Sequence, residues 1–371
     1  MITNNTLGIV FANAHDALLG KLTKQRSMAS LPFGGRYRLI DFSLSNLANA
    51  GVSKVGVITK ANYHSLMTHL GNGKPWDLDR KNGGLSILPP YASPDAQVYK
   101  GRLEAIYGIL EYLLESDEEN VVVCDCDVIA NIDIKKLLKF HKAKQADVTV
   151  VYVRGDKPEG QNDMMDFTFD EDGRITSVNF EEAMNCDYSL DVMVMGRQML
   201  IDIVVSEINS GRVSLSHGIF SKGYNKYKIY GFEHKGYAAV MDSPESYYRA
   251  NLALLSGEVR ADVFNMENPI YTKTRDDMPA KYGISAKTKG SLIADGCIIE
   301  GTVKNSVLFR GVKVSKGAII ENCVLMEGTT VGRDSVLKNV ITDRFVRITD
   351  NQQVDGKKEA SKAYIEKNSV I

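Results

Sequence analysis

After a short apolar run from Leu7 to Phe11, the chain reads ANAHDALLGKL, with no glycine in that loop before Gly20 and no lysine or arginine before Lys21. Loops that cradle a polyphosphate at this place in an α/β domain use glycines, which let the backbone approach closely, and cations, which pair with phosphate oxygens. Both are missing, which argues against a working nucleotide loop. Cysteine is sparse too: Cys124, Cys126, Cys186, Cys297 and Cys323 are odd in number and scattered. This excludes a disulfide framework and suits a reducing cytoplasm. Cys124-Asp125-Cys126 lacks the second cysteine pair or nearby histidines of a four-ligand metal site, so it reads as a strand end. No apolar run approaches the roughly 20 residues of a membrane helix, and no secretory signal is expected from the polar N-terminus. Nor does one sign of charge dominate. Lysine and arginine number 45 against 46 acids, so the net charge of −1 gives no footprint for nucleic acid or a membrane surface.

The chain has 371 residues, enough for two or three domains, and its 44% hydrophobic and 25% charged composition is that of a globular protein. The first half alternates strands with helices. Leu7 to Phe11, Lys54 to Thr59, Val121 to Asp125 and Asp147 to Val153 read as buried strands. Helices are expected from Asp41, as cap, through Asn49, from Tyr63 to Leu70, from Arg102 through RLEAIYGILEYLLES, and around Ile134. That alternation predicts a mostly parallel sheet covered on both faces, with ligands beyond the carboxyl ends of the strands.

After about residue 285 the helical period disappears. Leu308, Val314 and Ile320, then Leu325, Val331 and Leu337, recur at six-residue steps, with glycines such as Gly296, Gly301, Gly311, Gly317, Gly328 and Gly332 at the corners. One inward aliphatic per six residues is the signature of a hexapeptide parallel β-helix. The expected division is residues 1–270, a linker at 271–284 and the β-helix at 285–371, whose polar tail DNQQVDGKKEASKAY reads as loosely attached.

PFGGRYRLIDFSLSN (Pro32 to Asn46), GKPWDLDRKNGGLSILPPY (Gly73 to Tyr91), YKGRLEAIY (Tyr99 to Tyr107) and SYYRANLALL (Ser246 to Leu255) resemble segments of bacterial glucose-1-phosphate adenylyltransferase. The resemblance covers nearly the whole chain. It implies an α/β fold: a Rossmann-like nucleotidyltransferase domain with a mostly parallel sheet, then a C-terminal left-handed parallel β-helix. The family's reaction joins glucose 1-phosphate to the adenylyl group of ATP with Mg²⁺ and releases pyrophosphate. Position by position, however, the pattern departs. The family's Gly-Gly-x-Gly-x-Arg-Leu loop falls on Asn13, Ala14, His15, Asp16, Ala17 and Leu18, with Leu19-Gly20 restoring the match, and its following lysine falls on Met28. Asp127 matches the first metal-binding aspartate, but Val240 stands at the second, with Asp242 two positions on. Glu181 or Glu182 falls where the family's sugar-binding lysine belongs. Losing one charge-stabilising donor costs on the order of 10²–10³ in rate, so the loss of arginine, lysine and carboxylate together predicts little or no turnover.

The resemblance is to the D-type subunit of the Gram-positive enzyme. It implies a cytoplasmic regulatory chain in glycogen synthesis that assembles with a catalytic subunit, as a heterotetramer, and tunes it. Mg²⁺ then belongs to the catalytic partner, and no cofactor is assigned to this chain. Arg36 and Arg38 match positions near an activator site for anionic sugar phosphates, or else pair with an acid such as Asp41. Nucleic acid and membrane are not expected as partners. Two other readings stand beside this one: a divergent but active sugar-1-phosphate nucleotidyltransferase, and a hexapeptide acyltransferase. The second wants a histidine on the β-helix, and the last histidine in the chain is His234.

Overall fold

The structure, a computed structural model, describes residues 5–90, 99–157, 164–181, 184–210, 214–223, 226–357 and 363–371. In chain order the first domain carries β1 (Thr6–Phe11), the hairpin β2 (Pro32–Phe33) and β3 (Tyr37–Arg38), α1 (Leu39–Asn49), β4 (Lys54–Ile58), α2 (His64–Leu70) and β5 (Gly84–Leu88). Then come α3 (Arg102–Tyr107), α4 (Leu110–Leu114), β6 (Asn120–Asp125), β7 (Val128–Ala130), α5 (Ile134–Lys144), β8 (Val148–Gly155), β9 (Asp166–Phe169) and β10 (Ile175–Asn179). β11 (Cys186–Gly196), α6 (Arg197–Ile208), α7 (Leu215–Gly223), β12 (Ile229–Glu233), β13 (Ala238–Val240), α8 (Pro244–Ala253) and α9 (Gly257–Val263) complete it.

β6, β1, β4 and β5 run parallel, in that order, and β11 joins the other side of β6 antiparallel. From Leu7 onward β1 carries no polar side chain, as suits a strand with both faces covered. Leu7, Ile9 and Phe11 meet Leu103, Ile106 and Leu113 from α3 and α4, whereas Val10 belongs to the core on the side of α1 and α5. The helix expected from Arg102 onward is two. Gly108 closes α3, and Ile109 lies outside helical geometry at φ −113° and ψ 19°. Glycine in a helix interior costs roughly 1 kcal/mol relative to alanine, so the break falls where the helix is weakest. α1 begins at Leu39 rather than after Asp41. Asp41 sits one turn inside and accepts from the Arg38 N–H at 2.9 Å.

The C-terminal strands form three parallel five-stranded sheets, the walls of a left-handed β-helix. Leu308 stacks on Leu325, Val314 on Val331 and Ile320 on Leu337, all within the coil's core. Each of these stacked pairs is offset by one residue less than three six-residue faces. The short step falls at corners occupied by Asn305, Asn322 and Asn339, all left-handed (φ 44°, 51° and 54°). Asparagine tolerates that conformation, so it shares the corner role with glycine. The first strand, Lys281–Tyr282, lies inside the expected linker. In the described part of the tail, Gln353–Asp355 and Tyr364–Ile365 extend the sheets, whereas residues 358–362 lie outside the described residues. Val307, Val324 and Ile341 face outward and enter the core of the first domain, so the two domains share an apolar interface.

Candidate functional site

The loop after β1 closes on itself. Asn13 donates to the Asp16 carboxylate and to the Ala61 carbonyl at 3.2 Å, and accepts from the Lys60 N–H at 2.9 Å. Asp16 in turn accepts from the Met28 N–H at 2.7 Å. The backbone donor beside position 28 is therefore held by an internal carboxylate. Burial raises the Asp16 pKa against the opposing bonds from Met28 and Asn13. Met28 is a core side chain, Ala14 is exposed and Leu18 half-buried.

Beyond the carboxyl end of β6 lies a buried charge network. Asp125 ends that strand, and Asp127 precedes β7. Asp191 sits at a register break in β11, at φ 52°, and this bulge aims its carboxylate inward. Arg102, the first residue of α3, bonds Asp125 and lies 2.8 Å from Asp191. A cation at a helix N-terminus runs against the macrodipole, and these carboxylates offset it. His15 Nδ1 lies 2.7 Å from Asp127 and 3.8 Å from Asp125, and its Nε2 is 3.5 Å from Arg102. Burial opposes the His15 charge, but the hydrogen bond and charge of Asp127 prevail, so its pKa is raised above 6.5. The Asp127 pKa is lowered: burial opposes ionisation and His15 outweighs it. Burial pushes Asp125 up, with Arg102 opposing.

Val240 faces Val128 across the β13–β7 pair, and Met241 N–H reaches the Asp127 carbonyl at 2.8 Å. Asp242 is occupied with Ser243 (3.0 Å) and stays out of the cluster of His15, Asp125 and Asp127. Glu181 is exposed, and Glu182 lies outside the described residues. Trp76 is buried in its own domain against His69, which bonds Asp41 at 2.6 Å. Cys124 and Cys126 are free and buried.

A second site lies between the domains. Arg36, Arg38, Lys273, Arg275, Arg310 and Arg344 line a cleft of about 450 Å³, together with Glu327, Phe309 and Phe345. Arg36 pairs with Asp295 at 3.1 Å, and the Arg38 guanidinium bonds Ser65 (2.8 and 2.9 Å). Burial, then the charge of Arg344, lowers Arg38 to about 10. Only Arg36 and Arg38 of this group were legible as candidates.

The nucleotidyl transferase family model matches residues 17–182, and the GlmU-like C-terminal hexapeptide model matches 278–371. Over 360 residues the chain is 37% identical to the glycogen biosynthesis protein GlgD of Bacillus subtilis, covering 97% of this chain and 95% of that protein. Glucose-1-phosphate adenylyltransferase of Thermotoga neapolitana is 35% identical over 329 residues, 85% of this chain and 76% of the relative. That of Clostridium novyi is 33% identical over 331 residues, 86% and 85%. The chain belongs to the glucose-1-phosphate adenylyltransferase family.

For an adenylyltransferase site that works with Mg²⁺, the residues here do not fit. Magnesium wants oxygen ligands in near-octahedral array. In this chain Arg102 and His15 already hold the carboxylates, and Val240 offers no oxygen. Arg102 and Asp191 escaped sequence reasoning. The signal available was a lone arginine directly after Gly101 at a helix start.

Proposed function

We propose that this chain is a regulatory subunit, non-catalytic or weakly active, of a cytoplasmic glucose-1-phosphate adenylyltransferase in glycogen synthesis. Its role is to raise or tune a catalytic partner in a hetero-oligomer. In the family reaction a glucose 1-phosphate oxygen attacks the α-phosphorus of ATP while the bond to pyrophosphate breaks. That step needs donors and cations aimed at the phosphates. The observation that carries the proposal is the loop. In the segment where the resemblance puts the phosphate loop, the Asp16 carboxylate takes up the Met28 N–H at 2.7 Å, while Leu18 and Met28 supply no charge.

The cationic cleft between the domains supports an anionic sugar phosphate as effector, since arginine suits bidentate phosphate contacts. Arg344→Ala is expected to weaken any sugar-phosphate response of the complex without changing this chain's assembly. Effector titration alongside sedimentation checks both. The main experiment measures ADP-glucose formation by this chain, by the catalytic subunit and by their mixture. A gain in the mixture alone supports the proposal, and full turnover by this chain alone refutes it. Asp127, an aspartate kept where the resemblance puts a metal ligand, and the family-like flanking segments favour a second reading, a divergent active nucleotidyltransferase. It predicts turnover of some sugar 1-phosphate by the isolated chain.

A further inference from the structure

We propose that Arg102 is a resident cation that takes the place of a divalent metal, and that removing its guanidinium turns the network into a metal site. The inference rests on the non-catalytic reading and deepens it, but its readout is metal binding rather than turnover, so the two can fail separately.

Three carboxylates, Asp125, Asp127 and Asp191, converge in a region where each is at most 3% exposed. Carboxylates gathered this way need positive charge. It arrives from within the chain. Arg102, 6% exposed, bridges Asp125 and Asp191, which come from different strands, and His15 closes the network at Asp127. Arg102 Nε, also buried, finds no acceptor among the described residues. The guanidinium is therefore placed by the two carboxylates, with His15 Nε2 at 3.5 Å, and not by a full set of hydrogen bonds. A cation tethered to the chain meets these carboxylates at an effective concentration that free metal at cellular levels does not match. Without it, two carboxylates and an imidazole remain with ligand atoms within 4.8 Å of one another, and Asp191 stands beside them. Oxygen and imidazole donors of this kind suit Mn²⁺.

The test titrates Mn²⁺ into the full chain, counting bound metal from the loss of the free-ion electron paramagnetic resonance signal and following thermal unfolding in parallel. Wild type is expected to bind no stoichiometric Mn²⁺ and to keep its unfolding temperature. Arg102→Met is expected to unfold earlier in chelator, to bind one Mn²⁺ at least about tenfold more tightly than wild type, and to regain stability with the metal. Arg102→Lys, which keeps a cation, is expected to keep metal out. Should Arg102→Met fail to fold, the double variant Arg102→Met/Asp191→Asn removes the cation together with one of its partners and leaves His15, Asp125 and Asp127. Stoichiometric binding by wild type that disappears in Asp127→Asn overturns the proposal. So does a folded Arg102→Met or double variant that binds Mn²⁺ no better than wild type.

Discussion

Asp127 shows how one residue can keep its identity while its surroundings change its task. The aspartate stands where the family resemblance places a metal ligand, yet an imidazole 2.7 Å away holds it. Because His15 is raised above 6.5, its contribution to stability is complete below the unfolded value of 6.5 and is lost as pH rises through the higher folded value. Asp127 is lowered below 3.8, so its contribution is present above 3.8 and is lost as pH falls through the depressed folded value. The pair is strongest between those limits. His15→Gln is therefore expected to lose most unfolding temperature relative to wild type in mildly acid buffer, with the gap narrowing toward alkaline pH. A gap that widens with rising pH would show that the pairing is misassigned. Asn13, Asp16, Leu18 and Met28 could be singled out from the sequence because they lie within one short segment. The ion pair of Arg102 with Asp191 was not. Its partners lie 89 positions apart, and a strand bulge sets their meeting.

Among the elements, those with a strong period were the most legible. β1, β4 and β6 appear as continuous apolar runs because helices cover both faces, and the β-helix announces itself by its aliphatic spacing. The spacing also separates inward from outward positions. Leu325 is fully buried in the coil, whereas Ile319 is 37% exposed. Leu325→Ala is expected to cost about 2–5 kcal/mol and Ile319→Ala within about 0.5 kcal/mol, read from chemical denaturation. Similar losses at both sites would contradict the register. Legibility failed at the boundaries. The split at Gly108, the start of α1 ahead of Asp41 and the first coil strand at Lys281–Tyr282 depend on which backbone groups find partners, and hydrophobic spacing does not report that.

In the whole molecule, the segment after β1 and the β-helix are joined by a buried ion pair. Arg26, ten residues after Asp16, reaches Asp343 of the coil with contacts of 2.6 and 2.7 Å, and the Tyr364 hydroxyl donates to the same carboxylate at 2.7 Å. Both charged partners are buried, so Arg26→Ala leaves an uncompensated carboxylate and is expected to cost about 3–5 kcal/mol. Arg344 and Phe345, next to Asp343, line the cationic cleft. The cationic cleft, the coil and the segment after β1 thus share one packed interface. Among the described residues no helix is long and apolar enough to cross a membrane. The proposed role of this chain is to support ADP-glucose synthesis with little or no turnover of its own. The most direct measurement pairs it with a catalytic subunit whose own site has been disabled and assays ADP-glucose. Little or no synthesis above that of the disabled subunit alone is expected, and synthesis restored to the level of an intact catalytic subunit would overturn the proposed role.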